Sequence, residues 1–325
     1  MDTPTELLDH IFSFLRDDIA SLRTSFSASK LLKQIAERHF YAHVKLSSQE
    51  PGNNNSHQST TLNQIQLENL LAERPHIAPY IKSIEAAITE ADIIFWKSNP
   101  SKDDTGGTVI STPQLPSLQM FCISPYDPWH HKRIVWDVIP SLLRMFWENL
   151  IRLPTIEKIA IHKITGFPVE MLDRCSKLIC LSFQDVELSC ALPAQSDFSV
   201  LTPITQLRHL TLFGGHEPLR TNNNWLLQGA GTDTTRVSHL SSLHFRTKNI
   251  EDFDFLNRIA GSCSRTLREL TVEIAQSPGS TSCQTSYLAE SSSADPMASN
   301  LIRTEPNLDT PCLNSLGWPT TLEKI

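Results

Sequence analysis

The first 46 residues alternate apolar and polar positions with the period of a helix. The first helix is predicted from an i, i+3, i+4, i+7 stripe of apolar residues, namely Leu8, Ile11, Phe12 and Leu15. Thr3 and Glu6 have the spacing of a capping box, in which each side chain bonds a free backbone N–H of the first turn. Phe14 faces away from this stripe, so the helix leaves one large apolar group for a partner.

Two further short helices are predicted before residue 46. The second follows Asp17 and Asp18 and turns Leu22 inward. The third starts at Ser27 or Ser29 and carries residues at helical spacing, namely Leu31, Leu32, Ile35, Ala36, His39 and Phe40. Three short helices bury little surface, so such a unit gains stability when a partner covers its apolar face.

A six-residue motif, aliphatic-x-x-aliphatic-x-aliphatic, recurs along the middle of the chain. Clear copies begin at Leu118, Ile156, Leu178, Leu207, Leu240 and Leu267. A weaker copy begins at Ile81 and a more distant one at Leu313. The second half of the motif alternates with period two, so each copy predicts a short strand with one buried face.

Helix-like stretches separate the copies, at residues 138–153, 167–175 and 253–263. A strand followed by a helix, repeated along the chain, predicts parallel strands in an α/β fold. In one arrangement each unit buries its apolar side against its neighbours in a solenoid. A layered α/β domain is the alternative, and composition does not separate the two.

Polar composition divides the chain into segments. Residues 47–61 are rich in Ser, Asn and Gln and predict a linker between the helical unit (1–46) and the repeat region (62–275). Residues 276–311 are rich in Ser and Thr, which bury too little apolar area to offset the entropy of ordering, so this segment is predicted to be disordered. Residues 312–325 recover some apolar pattern and resemble a repeat begun and not finished.

Charge, apolar runs and cysteine spacing narrow the classes of function. Lys and Arg number 28 against 35 Asp and Glu, a net charge of −7, which argues against a dedicated nucleic-acid binder because such a protein needs a basic face. No apolar run is long enough to predict a membrane span, and the N-terminus lacks the basic start of a signal peptide. The 7 cysteines show no Cys-x-x-Cys spacing, which indicates reduced thiols in the cytoplasm or nucleus.

One motif of the helical unit begins Pro4-Thr5-Glu6-Leu7-Leu8, continues to Ile11 and Leu15 at helical spacing, and is followed by Leu22-Arg23 and Ser29-Lys30. In residue identity, spacing and N-terminal position this motif resembles an F-box. F-box domains bind the Skp adaptor of SCF (cullin-RING) ubiquitin ligases, and the rest of the chain selects the substrate. The resemblance implies an adaptor-binding face made by Pro4, Leu7, Leu8, Ile11, Leu15 and Leu22, in the manner of an amphipathic helix against a hydrophobic groove.

The repeat region resembles the irregular leucine-rich repeats of fungal-type F-box proteins. Together the two resemblances imply an α/β fold in which a three-helix F-box precedes an irregular leucine-rich-repeat solenoid with parallel strands. They imply a non-catalytic substrate-recognition subunit of an SCF ligase. Two alternatives stay open: the helices are only the core of a cap on the following domain, or the chain is a repeat scaffold whose degenerate F-box no longer binds the adaptor.

A substrate would meet the outward-facing x positions of the predicted strands. The candidates are Lys158, His162, Arg208, His209, His244 and Arg246. These side chains are mixed in character and identify no particular protein, so the substrate stays unspecified.

Residues with catalytic or metal-binding chemistry form no recognisable site in the sequence. His130-His131 lacks two further ligands at zinc spacing, and Cys175-x4-Cys180 pairs a helix-end residue with a strand residue. The Gly-Gly pair at 214–215 lacks a phosphate-loop lysine, and there is no Gly-x-Ser-x-Gly elbow. The chain is therefore predicted to be non-catalytic, with no cofactor and no metal, and with neither nucleic acid nor membrane among its partners.

Overall fold

The structure is a computed structural model, and it divides into two compact units, residues 1–163 (unit 1) and 164–325 (unit 2). It describes residues 4–15, 18–47, 61–98, 114–125, 133–189, 206–214, 224–227, 235–249, 251–274 and 283–288, with the backbone alone for 95–98, 224 and 283–288. The predicted site at His130-His131 and the distant motif at Leu313 lie outside these residues.

Unit 1 begins with the three predicted helices, α1 (Thr5–Phe14), α2 (Ile19–Ser25) and α3 (Lys30–Phe40). Asp18 caps α2 by accepting a hydrogen bond from the backbone N–H of Ser21, and Ser29 caps α3 by accepting one from Leu32. Pro4 precedes α1 and gives it no side-chain cap, and Thr3 lies outside the described residues. Two of the three helix starts are therefore fixed by the capping residues next to them.

A small core holds the three helices together. Its buried members are Phe12, Leu22, Ile35, Ala36 and Phe40, and partly buried apolar side chains pack around them, including Leu8 and Leu15. The expectation that Ile11 belongs to the buried stripe is wrong, since its side chain is 46% exposed. The inward face of α1 is the row Leu8, Phe12 and Leu15.

The sheet strands of unit 1 are parallel and lie in the order β6-β4-β3-β1-β2. Its strands are β1 (His43–Ser47), β2 (Thr61–Leu62), β3 (Ser83–Ile88), β4 (Met120–Pro125), β5 (Ile134–Val135, outside this order) and β6 (Lys158–His162). Its remaining helices are α4 (Gln64–Glu73), α5 (Glu90–Ser98) and α6 (Ser141–Ile151), with 3₁₀ helices at Pro75–Tyr80 and Trp136–Val138. The predicted helix at 138–153 is α6, which begins directly after Pro140.

Unit 2 continues the pattern with strands in the order β13-β12-β11-β10-β8. Its strands are β7 (Ile164–Pro168), β8 (Cys180–Gln184), β9 (Glu187–Ser189), β10 (His209–Phe213), β11 (Ser242–Thr247), β12 (Glu269–Ile274) and β13 (Cys283–Leu288), with β7 and β9 pairing separately. Its helices are α7 (Asn224–Leu227), α8 (Asp252–Ser262) and the 3₁₀ helix Val169–Arg174. In the two orders taken together, β13 alone is antiparallel, so the predicted mixed α/β class with parallel strands is confirmed.

Each of the seven motif copies from residue 81 to residue 272 forms one parallel strand. Their inward residues share rows across the sheet, for example Leu181, Leu210, Leu243 and Leu270 in unit 2, all of them buried. Inward residues stay in register because a slip of one position would turn the whole buried set toward solvent.

Two segments differ from the sequence-based expectation. Residues 283–288, inside the segment predicted to be disordered, form β13, antiparallel to β12. A polar segment can take this place because a strand ladder bonds backbone groups and needs no apolar side chain. Ser47 and Thr61, at the two ends of the predicted linker, belong to β1 and β2, and residues 48–60 between them lie outside the described residues.

Candidate partner-binding surfaces

The outer face of α1 carries a row of apolar side chains that its own unit does not cover. The row, here called the α1 stripe, consists of Pro4, Leu7, Ile11 and Phe14. Leu7 is 50% exposed, Ile11 46% and Phe14 75%. Because positions i, i+4 and i+7 lie on one side of a helix, these side chains form a continuous apolar surface.

The structure separates the six residues expected to bind the adaptor into two groups. Pro4, Leu7 and Ile11 are exposed on the α1 stripe. Leu8 and Leu15 are partly buried against the helical core, and Leu22 is completely buried within it. Phe14, which is more exposed than Leu7 and Ile11, was absent from that set although its outward direction was predicted.

Contacts between α1 and α3 hold the stripe in place. His39 Nε2 lies 3.1 Å from Asp9 Oδ1, and the imidazole stacks on the ring of Phe12 with centroids 6.4 Å apart. The ring of His10 meets Phe14 edge to face at 4.9 Å on the exposed side. The stripe is therefore presented by a helix that is fastened on its opposite face.

The outward strand face of unit 1 centres on Glu85 of β3. Its carboxylate lies 3.5 Å from Lys45 Nζ and accepts a 2.8 Å hydrogen bond from Ser124 Oγ. Among the sequence candidates, His162 is half-buried and Lys158 is exposed. Burial lowers the pKa of His162, with the Glu85 charge opposing that shift, so burial favours the neutral imidazole.

The outward strand face of unit 2 is a ladder of aromatic and charged groups. His244 Nε2 lies 3.1 Å from Glu273 Oε1, and Arg246 Nε lies 3.6 Å from Glu273 Oε2. The ring of Phe213 meets His244 edge to face at 4.9 Å and lies beneath the Arg246 guanidinium at 5.8 Å. Two candidates, His244 and Arg246, are thus brought together and share one carboxylate.

Phe213 also belongs to this face, although it was not among the sequence candidates. Leu210 and Leu212 point inward, so strict alternation turns Phe213 outward beside Gln184 and Arg246. The outward direction of Phe213 could therefore have been predicted by continuing the period-two alternation one residue beyond the motif.

Arg208 and His209, the remaining candidates, lie where β10 begins, and both side chains are exposed. The backbone N–H groups of both residues donate to the carbonyl of Ile179, at 2.9 and 3.0 Å. The side chains of Arg208 and His209 form no ion pair with another described residue. Their positions are fixed by the backbone while their side chains remain available.

The described residues give no sign of a metal centre or of a membrane crossing. Within them, no group of three or more His, Cys, Asp or Glu side chains is arranged to hold a metal ion. None of the helices described combines the length and apolar content that crossing a bilayer requires. Comparison of the chain with protein-family models, with curated proteins and with solved structures yields no match.

Proposed function

We propose that this protein is the substrate-recognition subunit of an SCF ubiquitin ligase, which binds the Skp adaptor through its three helices and a client protein through the outward strand faces. The α1 stripe is the observation that carries this proposal. Leu7, Ile11 and Phe14 are large apolar side chains that remain at least 46% exposed beside a helical core that is already closed by other residues. An exposed apolar row of this kind marks a protein interaction site.

The energy of such a contact follows from the area that the partner covers. Complete burial of one large apolar side chain contributes about 1.5–3 kcal/mol. Leu7, Ile11 and Phe14 are 46–75% exposed, so covering each adds on the order of 1 kcal/mol. Four members along one helix face fit a hydrophobic groove, with anchors spaced by three and four residues. The summed free energy of covering these side chains is adequate for docking only if α1 is held rigidly, as it is by the contact between Asp9 and His39.

The proposed fold of the remaining chain is an irregular leucine-rich-repeat array. Seven copies of one motif form parallel strands, and equivalent residues of β8, β10, β11 and β12 share rows. Outward residues of such strands form a continuous surface for a client. The protein itself then catalyses no bond change, and it raises the effective concentration of client lysines near the ligase's charged ubiquitin carrier.

Co-purification of the Skp adaptor with the full chain tests the proposal. Wild type is expected to retain the adaptor and Ile11→Asp to lose it, because a carboxylate on the stripe would be buried unpaired. Ile65→Asp is the matched control, since Ile65 is a 67% exposed isoleucine on α4, outside the stripe. Equal retention by Ile11→Asp and Ile65→Asp would reject the stripe as the docking face.

A second candidate function is a repeat scaffold that does not bind the adaptor. The burial of Leu22 favours it, because a fully buried residue contacts no partner unless the helices rearrange. Wild-type protein that fails to retain the adaptor, while keeping its fold by circular dichroism, would support this candidate over the first.

A further inference from the structure

Exposed cations gather where the parallel strands of unit 2 begin. The group, here called the basic edge, consists of Lys177, Arg208, His239, Arg265 and Arg268, and every member is exposed. Each lies within three residues of the start of β8, β10, β11 or β12, or in the turn just before it. In a chain of net charge −7, this edge is locally positive.

Backbone hydrogen bonds fix the spacing of its two central arginines. The N–H of Ser241 donates to the Arg208 carbonyl at 2.8 Å, and the N–H of Arg268 donates to the Ser241 carbonyl at 2.8 Å. Arg208 and Arg268 therefore lie in one row, separated by a single intervening strand. Two strand spacings make about 10 Å, which is the length of three residues of extended peptide.

The outer members lie at the same edge. Thr266 Oγ1 donates to the Ser238 carbonyl at 2.9 Å, so the neighbouring residues Arg265 and His239 are held beside each other. Lys177 stands immediately before Leu178, at the motif position that His239 occupies before Leu240. The edge thus continues across four neighbouring strands.

These side chains are not neutralised within their unit. Among the described residues no carboxylate forms an ion pair with Lys177, Arg208, Arg265 or Arg268, whereas Arg246 is paired with Glu273. One acid, Glu269, lies at the same edge, where it accepts a 2.9 Å hydrogen bond from Ser242 Oγ. Asp173 also precedes β8, but it is buried and forms an ion pair with Arg236 at 2.9 Å, and Glu170 lies on the same 3₁₀ helix. Several other described acids of unit 2 follow the opposite ends of β8 and β11, namely Asp185, Glu187, Glu251, Asp252 and Asp254.

The helix dipole accounts for only part of this separation of charge. Asp252 and Asp254 lie in the first turn of α8, where negative charge is favoured. Arg208 and Arg268 precede strands and lie at no helix terminus. The helix dipole therefore does not explain their placement.

We propose that the basic edge binds an acidic segment of a protein partner, in extended conformation, with carboxylates about three residues apart to match Arg208 and Arg268. Opposite charges at matching spacing give orientation and a fast, salt-dependent association. That this partner is the ligase client rests on the proposed function, whereas the binding itself does not.

A fluorescent acidic peptide tests the proposal on the full-length protein. The probe is a peptide of about 12 residues with Asp or Glu at every third position, titrated by anisotropy at low salt, beside the same peptide with Asn and Gln. The double variant R208E/R268E is expected to weaken binding of the acidic peptide about tenfold. Glu269→Gln is expected to tighten it, because it removes the one acid of the edge.

Lys248→Glu is the matched control, since Lys248 is an exposed cation after the far end of β11. Equal weakening in Lys248→Glu and R208E/R268E would overturn the proposal, as would wild-type binding that does not distinguish the acidic from the amide peptide. The proposal would also be overturned if single-stranded DNA, or a phosphorylated version of the peptide, bound more tightly than the acidic peptide. The basic edge would then be a phosphate-binding site.

Retention of the Skp adaptor separates this proposal from the proposed function. R208E/R268E is expected to retain the adaptor as wild type does, because both arginines lie in unit 2 and the α1 stripe lies in unit 1. Loss of the peptide with the adaptor retained supports the basic edge. Failure of the adaptor to bind wild type contradicts the ligase role and leaves the peptide result unaffected.

Discussion

The carboxylate of Glu37 forms an ion pair with the guanidinium of Arg74, although 37 residues separate them in sequence. Glu37 lies on α3 and its side chain is only 4% exposed, while Arg74 follows α4. His76 Nε2 lies 3.5 Å from the other carboxylate oxygen, and Arg74 also donates to the Tyr41 hydroxyl at 3.4 Å. This cluster fastens the three helices to the segment that leads into β3, and it therefore orients the α1 stripe within unit 1.

Arg74→Ala is expected to destabilise the protein by about 2 kcal/mol, because it leaves a buried carboxylate with one weak partner. This loss of stability is smaller than that expected for a fully buried ion pair, because the Arg74 side chain is itself 34% exposed. The midpoint of urea unfolding measures the loss of stability. Arg38→Ala, an exposed neighbour on α3, is the control and should change stability by less than about 0.5 kcal/mol. Equal midpoints for the two variants would mean that the ion pair contributes nothing.

The buried thiols of Cys175 and Cys263 and the half-buried thiol of Cys122 are expected to resist alkylation in the folded protein. Burial raises the pKa of Cys122 and of Cys175 to about 12, and that of Cys263 to about 11. The thiolate is the reactive form, so at pH 8 these residues should label slowly with iodoacetamide and rapidly after unfolding in urea. Mass spectrometry of labelled peptides gives each rate. Native labelling of Cys175 or Cys263 at the unfolded rate would contradict their burial.

The same shifts predict a loss of stability at alkaline pH. The pKa of these thiols is higher in the folded state than the ordinary value of 9.0, so the unfolded chain releases the protons first. Their contribution to stability is therefore present below pH 9 and lost as the pH rises toward 12. Urea unfolding between pH 8 and 10.5 measures this slope, which should be smaller in a variant with all three cysteines changed to Ala. An unchanged slope in that variant would assign the alkaline loss to other groups.

Removal of β13 is expected to make the protein self-associate. A chain ending after Ile274 leaves β12 without its antiparallel partner, and an unpaired strand edge offers backbone groups to another molecule. A chain ending after Leu288 keeps the ladder and is the control. Light scattering over a range of concentrations distinguishes them. Association of both chains, or of neither, would contradict a protective role for β13.

The seven strands that carry the motif were predictable because their inward residues repeat in a fixed order, whereas β2, β5, β7 and β9 carry no copy of it and were not predicted. β1 escaped prediction because His43-Val44-Lys45-Leu46 lacks the leading aliphatic position. β13 escaped because Leu288 is the one aliphatic residue among its six. Both strands form without the motif: Val44 and Leu46 of β1 are buried, and every residue of β13 pairs with β12. Pairing with β3 and with β12 therefore defines these two strands where the motif is absent.

The sequence predicted only in part which face of α1 is buried. Its apolar residues satisfy two rows at i, i+4, i+7, namely Leu7, Ile11, Phe14 and Leu8, Phe12, Leu15. Periodicity alone does not show which of the two rows is buried. The core contacts of Phe12 with α2 and α3 turn the second row inward. The Glu37–Arg74 pair was beyond sequence reasoning, since nothing in a single chain marks two charges so far apart as neighbours.

Calorimetric titration of purified Skp adaptor into the full chain tests the central claim most directly. The α1 stripe predicts one-to-one binding by wild type, no measurable heat for Phe14→Asp, and unchanged binding for Ile94→Asp, whose isoleucine is 59% exposed on α5. Circular dichroism of each variant confirms that the fold is kept. Absence of binding by wild type, or binding by Phe14→Asp as tight as wild type, would contradict the claim that this stripe receives the adaptor.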